Sequence, residues 1–267
     1  MNFFYLLLFL FIPLCIFAQI RLLSWNIENM GNSKTKETIN YIANTLDRYD
    51  IIAIQEVVAG RGGTQAVARL AAELNRKGTK WDYAISSPTS GSVYKTERYA
   101  YLWKTSKIKK IGKAWLEKKY HLEIEREPYF CTFQYDNKQF TAVNFHAITK
   151  KRQPETEIKY FKFLPDEYPT LNLIFAGDFN CPQSHTVFNP LKKMGFQSIL
   201  VNHKTSLKKE CKSDDCLASE FDNIYYKSSK VRTLNSGIIL FYKNFSSLKK
   251  ARTVSDHVPI WFEFFLN

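Results

Sequence analysis

Two hydrophobic rhythms organise the chain, and both appear near its start. Residues 20–26 and 51–55 are short, nearly unbroken apolar runs, the pattern of strands buried on both faces. Residues 34–48 place Ile39, Ile42, Ala43 and Leu46 at helical spacing, which predicts a helix between those strands. A second helix is predicted over 64–77, through Val67, Leu70, Ala71 and Leu74, with Gly78 as its stop. From Trp81 onward strand patterns dominate, at 81–86, 99–104, 128–135, 139–145, 171–176, 223–226, 237–241 and 258–264. Helices are expected only at 155–164 and 184–194. Two sheets packed face to face with helices outside is the economical architecture for this many strands. The pattern leaves the strand order open.

No repeat, low-complexity stretch or long linker interrupts residues 19–267, so one domain is expected there. Hydrophobic residues make up 45% and charged ones 24% of the 267, which excludes collagen-like and broadly disordered classes. Aromatic residues reach 15%, in keeping with a β-rich interior. Lys and Arg number 38 against 25 Asp and Glu, a formal charge of +13 that points to a polyanionic partner, nucleic acid or an anionic membrane surface.

None of that charge precedes Arg21. Residues 1–18 are almost wholly apolar, are broken by Pro13 and end Ile16-Phe17-Ala18, the form of a cleaved secretory signal. A retained anchor is the alternative, because no Lys or Arg stands near Met1. Secretion into an extracellular or periplasmic, oxidising space is therefore expected. Cysteine use agrees: Cys211 and Cys216 bracket a polar loop and suit a short disulfide, with Cys181 able to compete for either. Cys131, in an apolar run, reads as a buried free thiol. Ser213-Asp214-Asp215 is a candidate for structural Ca²⁺, weighed against a solvated loop.

Chemistry-bearing residues gather at the ends of the apolar strands. Asn26, Glu56, His146, Asp178 with Asn180, Asp222, and Asp256 with His257 occupy six such ends. One Asn or Asp after a strand is a turn former; six ends carrying carboxylates, amides and imidazoles ask for a shared site on a rigid scaffold. Glu56, Asp178 and Asp256 are hard oxygen ligands suited to Mg²⁺ or Mn²⁺ and unlike a zinc shell. Two histidines, each with a carboxylate to set its tautomer, could move protons or bind phosphate, and Glu97 and Asp222 are the candidate partners. In outline this is a metal-assisted phosphodiesterase.

Ser-Trp-Asn-Ile-Glu (24–28), Ile-Gln-Glu-Val (54–57), Gly-Asp-Phe-Asn (177–180) and Ser-Asp-His-Val-Pro (255–259) resemble the endonuclease/exonuclease/phosphatase superfamily. The stretch from Tyr94 to Trp103, Arg126-Glu-Pro and the His146 strand are most similar to its secreted deoxyribonuclease I branch. The resemblance implies an α+β fold, a four-layer α/β/β/α sandwich of two mainly antiparallel sheets flanked by helices. It implies that Glu56 holds the divalent metal with Asn26 and Asp256 close by. Asp178 would activate water and Asn180 would touch the scissile phosphate. His146 with Glu97 and His257 with Asp222 would be the two histidine–carboxylate pairs. Arg126 would approach the phosphate, and Tyr94 would lie along the minor groove.

Two departures stand out: Glu28 and Val58 occupy places where the deoxyribonucleases carry basic residues. Lys150, Lys151 and Arg152, directly after the His146 strand, are the replacement DNA contacts, with Arg61 in its Gly-rich loop as another candidate. The Lys-rich runs 104–119 and 204–212 read as solvated faces. His121, His185 and His203 fall outside the pattern, and Trp25, Trp81, Trp103, Trp115 and Trp261 read as core. The expected activity is a secreted, metal-dependent endonuclease acting on DNA, with RNA as a further substrate. A phospholipid-headgroup phosphodiesterase of sphingomyelinase or phosphoinositide-phosphatase type is the alternative.

Overall fold

The computed structural model describes residues 19–91, 96–212 and 215–267. The expected signal at 1–18, Tyr94, and Ser213 and Asp214 of the proposed Ca²⁺ loop lie outside the described residues.

Two six-stranded sheets stack face to face. In chain order the elements of the first half are β1 (Ile20–Met30), α1 (Lys36–Leu46), β2 (Ile51–Val58), α2 (Arg61–Arg76), β3 (Trp81–Ile85), β4 (Glu97–Lys104), β5 (Lys109–Leu116), β6 (Tyr129–Tyr135) and β7 (Lys138–His146). There follow α3 (Glu155–Ile158), α4 (Leu164–Glu167), β8 (Leu173–Asp178), α5 (Asn189–Lys193), β9 (Phe196–Ser198), β10 (Leu207–Lys212), β11 (Asp215–Leu217), β12 (Asp222–Lys227), β13 (Val231–Ile238), α6 (Leu248–Ala251) and β14 (Ile260–Leu266). The first sheet runs β13-β14-β1-β2-β4-β3 and the second β5-β6-β7-β8-β12-β9, while β10 and β11 form a separate hairpin.

Burial on both strand faces explains the unbroken apolar runs. In β1, Leu22 faces the opposite sheet while Leu23 faces the helices; in β2, Ile51 and Ala53 face inward while Ile52 and Ile54 pack outward. One core fills the space between the sheets, one lies under α1 and α2, and one lies under the short helices of the second sheet. The result is the α/β/β/α sandwich, largely antiparallel, with one parallel pair in each sheet, β1–β2 and β7–β8.

Several element boundaries depart from expectation. The strand predicted at 237–241 overlaps the observed β13 only at Gly237 and Ile238, β13 having begun at Val231, and Phe241–Asn244 is a 3₁₀ turn whose Phe241 plugs the core under α1. The helix at 155–164 breaks into α3, a 3₁₀ segment over Lys159–Phe163 and α4, because Pro165 cannot continue the hydrogen-bond ladder. Pro190 likewise splits 184–194 into a 3₁₀ turn and α5. The Lys-rich run within 104–119 holds the edge strand β5, where lysines discourage pairing with another sheet. The run at 204–212 builds the β10 arm of the hairpin. Trp115 and Trp261 are half-buried, whereas Trp25, Trp81 and Trp103 lie in the core.

Gly177 shows how the scaffold controls the site. Its φ is +150°, and a Cβ there would stand 1.9 Å from the Phe145 carbonyl of the neighbouring strand. Only glycine lets β8 approach β7 closely enough to set Asp178 beside His146. Gly177→Ala should therefore cost roughly 3 kcal/mol of stability, read as a lowered urea midpoint. A wild-type midpoint would show that the carbonyl can move aside.

Candidate active site

Strand direction brings the polar strand ends to one edge. The C-terminal ends of β1, β2, β7 and β8 and the N-terminal ends of β4, β12 and β14 coincide there. In the second sheet His146 pairs in register with Asp178, and Asp178 with Asp222. In the first, Asn26 pairs with Gln55, and Glu97 opens β4 opposite Val58. β14 runs antiparallel to β1, so Asp256 and His257, just before Ile260, arrive at the same edge.

His146 Nδ1 bonds Glu97 Oε2 at 2.9 Å, and His257 Nδ1 bonds Asp222 Oδ2 at 2.7 Å. The two imidazoles flank one carboxylate: Asp178 Oδ2 is 3.5 Å from His146 Nε2 and 3.7 Å from His257 Nε2. Asn26 Nδ2 donates to Glu56 Oε1 at 3.0 Å and to Asp178 Oδ2 at 3.1 Å, joining the two sheets. Asp178 Oδ1 accepts the Asn180 backbone N–H at 2.8 Å, and Asn180 Nδ2 donates to the Ala147 carbonyl. Arg126 donates to the same carbonyl and pairs with Glu97 at 3.1 Å. Glu56 and Asn180 hold φ values of +59° and +48°, left-handed conformations that store strain at the site.

Burial sharpens the charges. It would raise the Glu97 carboxyl, but His146 and Arg126 outweigh it and hold that group low. Burial would also raise Asp178, yet the two histidines hold it low. Burial, with Arg126, would lower His146, but Glu97 and Asp178 prevail and raise it. His257 stands well above the ordinary histidine value because Asp222 and Asp178 overcome its burial. Burial pushes Asp222 itself up to about 6, and Asp178 adds to that push.

These values set stability against pH. Glu97 and Asp178 contribute stability present above their unfolded values near 4 and lost as pH falls through the folded values. His146 and His257 contribute stability that is full below about 6.5 and lost as pH rises through their raised folded values. Asp222, being raised, costs stability progressively as pH rises from its unfolded value near 4 to its folded value of about 6, and the full penalty persists above that.

Asp178, Asp222 and His257 offer ligand atoms within 4.8 Å of one another. That trio is better described as a proton-sharing pair with a neighbour, because Asp222 Oδ2 already receives His257 Nδ1 and the Thr205 hydroxyl. Asn26, Glu56 and Asp256 are the oxygen set suited to a hard cation. Asn26 Oδ1 is buried with no hydrogen-bond partner among the described residues, although its amide nitrogen makes two bonds. A divalent ion is what such an acceptor lacks, so the residues fit one.

Glu56, Glu97, Arg126, His146, Lys150, Lys151, Arg152, Asp178, Asn180, Asp256 and His257 all line one cleft of about 870 Å³. Arg152 is not a free cation there: it pairs with Glu125 at 2.6 Å. Arg61 opens α2 and is not among the residues that line the cleft. Glu28 stands half-buried near Asp256 and Glu56; burial, then those carboxylates, raises its own. Cys211 and Cys216 are disulfide-bonded, and Cys131 and Cys181 are free and buried. His121, His185 and His203 bond locally.

Several supporting groups lie outside the strand-end pattern. Thr205 donates to Asp222 and accepts two backbone N–H groups. Ser255 donates to the Asn26 carbonyl and accepts the His257 N–H. Tyr99 Oη accepts the His146 N–H. Buried Glu157 accepts the backbone N–H of Glu125 and of Ile148, clamping the Arg126 loop to the exit of β7. Ser255 and Tyr99 sit inside conspicuous stretches, although nothing there marks their supporting contacts; Thr205 and Glu157 carry no local signal.

A sandwich with this edge site defines a phosphoesterase scaffold, and the sequence profile of the Endonuclease/Exonuclease/phosphatase family matches residues 23–257. The chain belongs to that family. A deoxyribonuclease of Thioalkalivibrio sp. is 27% identical over 97% of this chain and 74% of its own. Deoxyribonuclease-1 of Rattus norvegicus is 27% identical over 63% of this chain, which spans 62% of that relative's length. Among solved structures, the human Nocturnin catalytic domain shares the fold at a TM-score of 0.68 and 16% identity, covering 93% of this chain and 95% of that one. D. rerio TDP2 complexed with single strand DNA product does so at 0.67 and 13%, covering 93% and 99%.

Replacing Asp222 with Asn removes the main charge that raises His257. Its imidazole pKa, followed by NMR in EDTA, should fall in Asp222→Asn relative to the wild type. An unchanged value would show that the pair is not what raises it.

Proposed function

We propose that this chain is a secreted, divalent-metal-dependent endonuclease that hydrolyses phosphodiester bonds in DNA, with RNA as a further substrate. One observation carries the reading: two histidine–carboxylate pairs flank Asp178 beside the Asn26, Glu56 and Asp256 oxygens, in a cleft large enough for a nucleotide backbone. The deoxyribonuclease names of its relatives support the choice of DNA.

Each residue then has a task its geometry suits. Asp178, held ionised by its neighbours, accepts the proton of the attacking water. His146 and His257, raised by their carboxylates and fixed through Nδ1, present Nε2–H to the phosphate: one protonates the leaving oxygen and the other bonds a non-bridging oxygen. Asn180, anchored to Ala147, and Arg126 orient the phosphate. Asn26, Glu56 and Asp256 would hold Mg²⁺ or Mn²⁺, which when bound would offset charge developing on the phosphate oxygens. Lys150 and Lys151, exposed at the rim, contact flanking phosphates.

The purified protein should nick supercoiled plasmid with Mg²⁺ and stop on addition of EDTA. His146→Ala and Asp178→Ala should each lose at least ~10²-fold in rate. Undiminished nicking by both would sink the mechanism, and sphingomyelin hydrolysis without nicking would move the assignment to lipid headgroups. Export is proposed from the apolar 1–18 segment: N-terminal sequencing of the secreted chain should begin at Gln19, and a membrane-bound chain retaining Met1 would refute cleavage.

A further inference from the structure

The β10–β11 hairpin belongs to neither six-stranded sheet, yet its root is built into the site. Ser206 bridges His257, Leu207 N–H donates to the Asp256 carbonyl at 2.6 Å, and Val258 N–H donates to the Thr205 carbonyl at 2.7 Å. Arg252 holds the Leu207 and Lys208 carbonyls. Leu207 and Cys216 are buried in the core under the first sheet, and the Cys211–Cys216 disulfide ties the two strands together. The arm therefore leaves the fold in a set direction.

Its basic residues divide by role. Lys208 is neutralised by Asp215 at 2.7 Å, and Lys204 lies 3.8 Å from the same carboxylate. Lys209 is exposed, forms no ion pair with a described residue, and lines the same cleft as Lys150 and Lys151. Those two lysines follow from the His146 side of Asp178, whereas the hairpin grows from the His257 side. The acidic centre is thus bordered by cations on both flanks, complementary to a polyanion that crosses it.

We propose that the disulfide-closed hairpin is the second wall of the substrate cleft and that Lys209 binds a nucleic-acid phosphate across the reacting centre from Lys150 and Lys151. This rests on the nuclease reading above. It supplies cationic phosphate contacts in a chain whose Glu28 and Val58 offer none.

The test is binding of a labelled DNA duplex in EDTA, followed by fluorescence anisotropy across a salt series. Each lost phosphate contact reduces the steepness of the fall of log K with log salt by about 0.9. Lys209→Ala should lose about that much, Lys209→Arg should keep the wild-type slope, and Lys230→Ala, at the opposite end of the sandwich, should leave it unchanged. Joint Lys150→Ala and Lys151→Ala substitution measures the facing rim. Joint Cys211→Ser and Cys216→Ser substitution should repeat the Lys209→Ala loss if the crosslink sets the arm. A wild-type slope in Lys209→Ala overturns the second wall alone. Salt-insensitive binding by the wild-type protein overturns the nuclease reading with it.

Discussion

Carboxylates crowd one end of this sandwich, and their mutual repulsion must be offset before the fold can close. Glu97, Asp178 and Asp222 are buried, and Glu56, Asp256 and half-buried Glu28 stand close by. In a poorly solvated site an unpaired carboxylate would take a proton or unfold its surroundings. Each buried acid instead meets a cation or a donor: His146 and Arg126 at Glu97, both imidazoles and Asn26 at Asp178, His257 and Thr205 at Asp222. The same balance that lets the edge fold raises both imidazoles and holds Asp178 low, favouring their charged forms. Stability and chemistry draw on one set of contacts.

The sheets must also be locked across their interface, because a small slide would separate those partners. Buried amides do this where apolar packing alone could slip. Gln55 donates to Ser24 within its sheet and to Asn144 of the opposite one, and Asn144 returns bonds to the Ile54 and Ala100 carbonyls. Asn26 reaches Asp178 in the same manner. Hydrogen bonds are directional and costly to leave unmade, so they select one register from the several that hydrophobic contact would tolerate. Gly177 completes the fit by letting β7 and β8 close beside the site.

The long apolar elements were legible in sequence because their two-sided burial leaves an unmistakable run. The short ones were not. β9 and β11 span three residues each, β10 is rich in lysine, and the segment after β13 satisfies its backbone through a 3₁₀ turn; none leaves a period long enough to read. Arg152 looked like its neighbours Lys150 and Lys151, yet an acid 27 positions earlier in the chain neutralises it, a pairing no local pattern announces.

The amino-acid sequence by itself determined which chemical groups the site would contain, since charged and amide residues at the ends of buried strands are costly unless they work together. Their partnership was a matter of tertiary structure. Glu97 lies 49 positions from His146, and Asp222 lies 35 from His257, and only strand direction and register bring each pair within hydrogen-bond reach. The folded chain also decided which lysines stay free. Lys208 and Lys209 are adjacent in sequence, but Asp215 neutralises the first and leaves the second facing the cleft. Charge is a property of composition; its availability depends on what the fold places within a few ångströms.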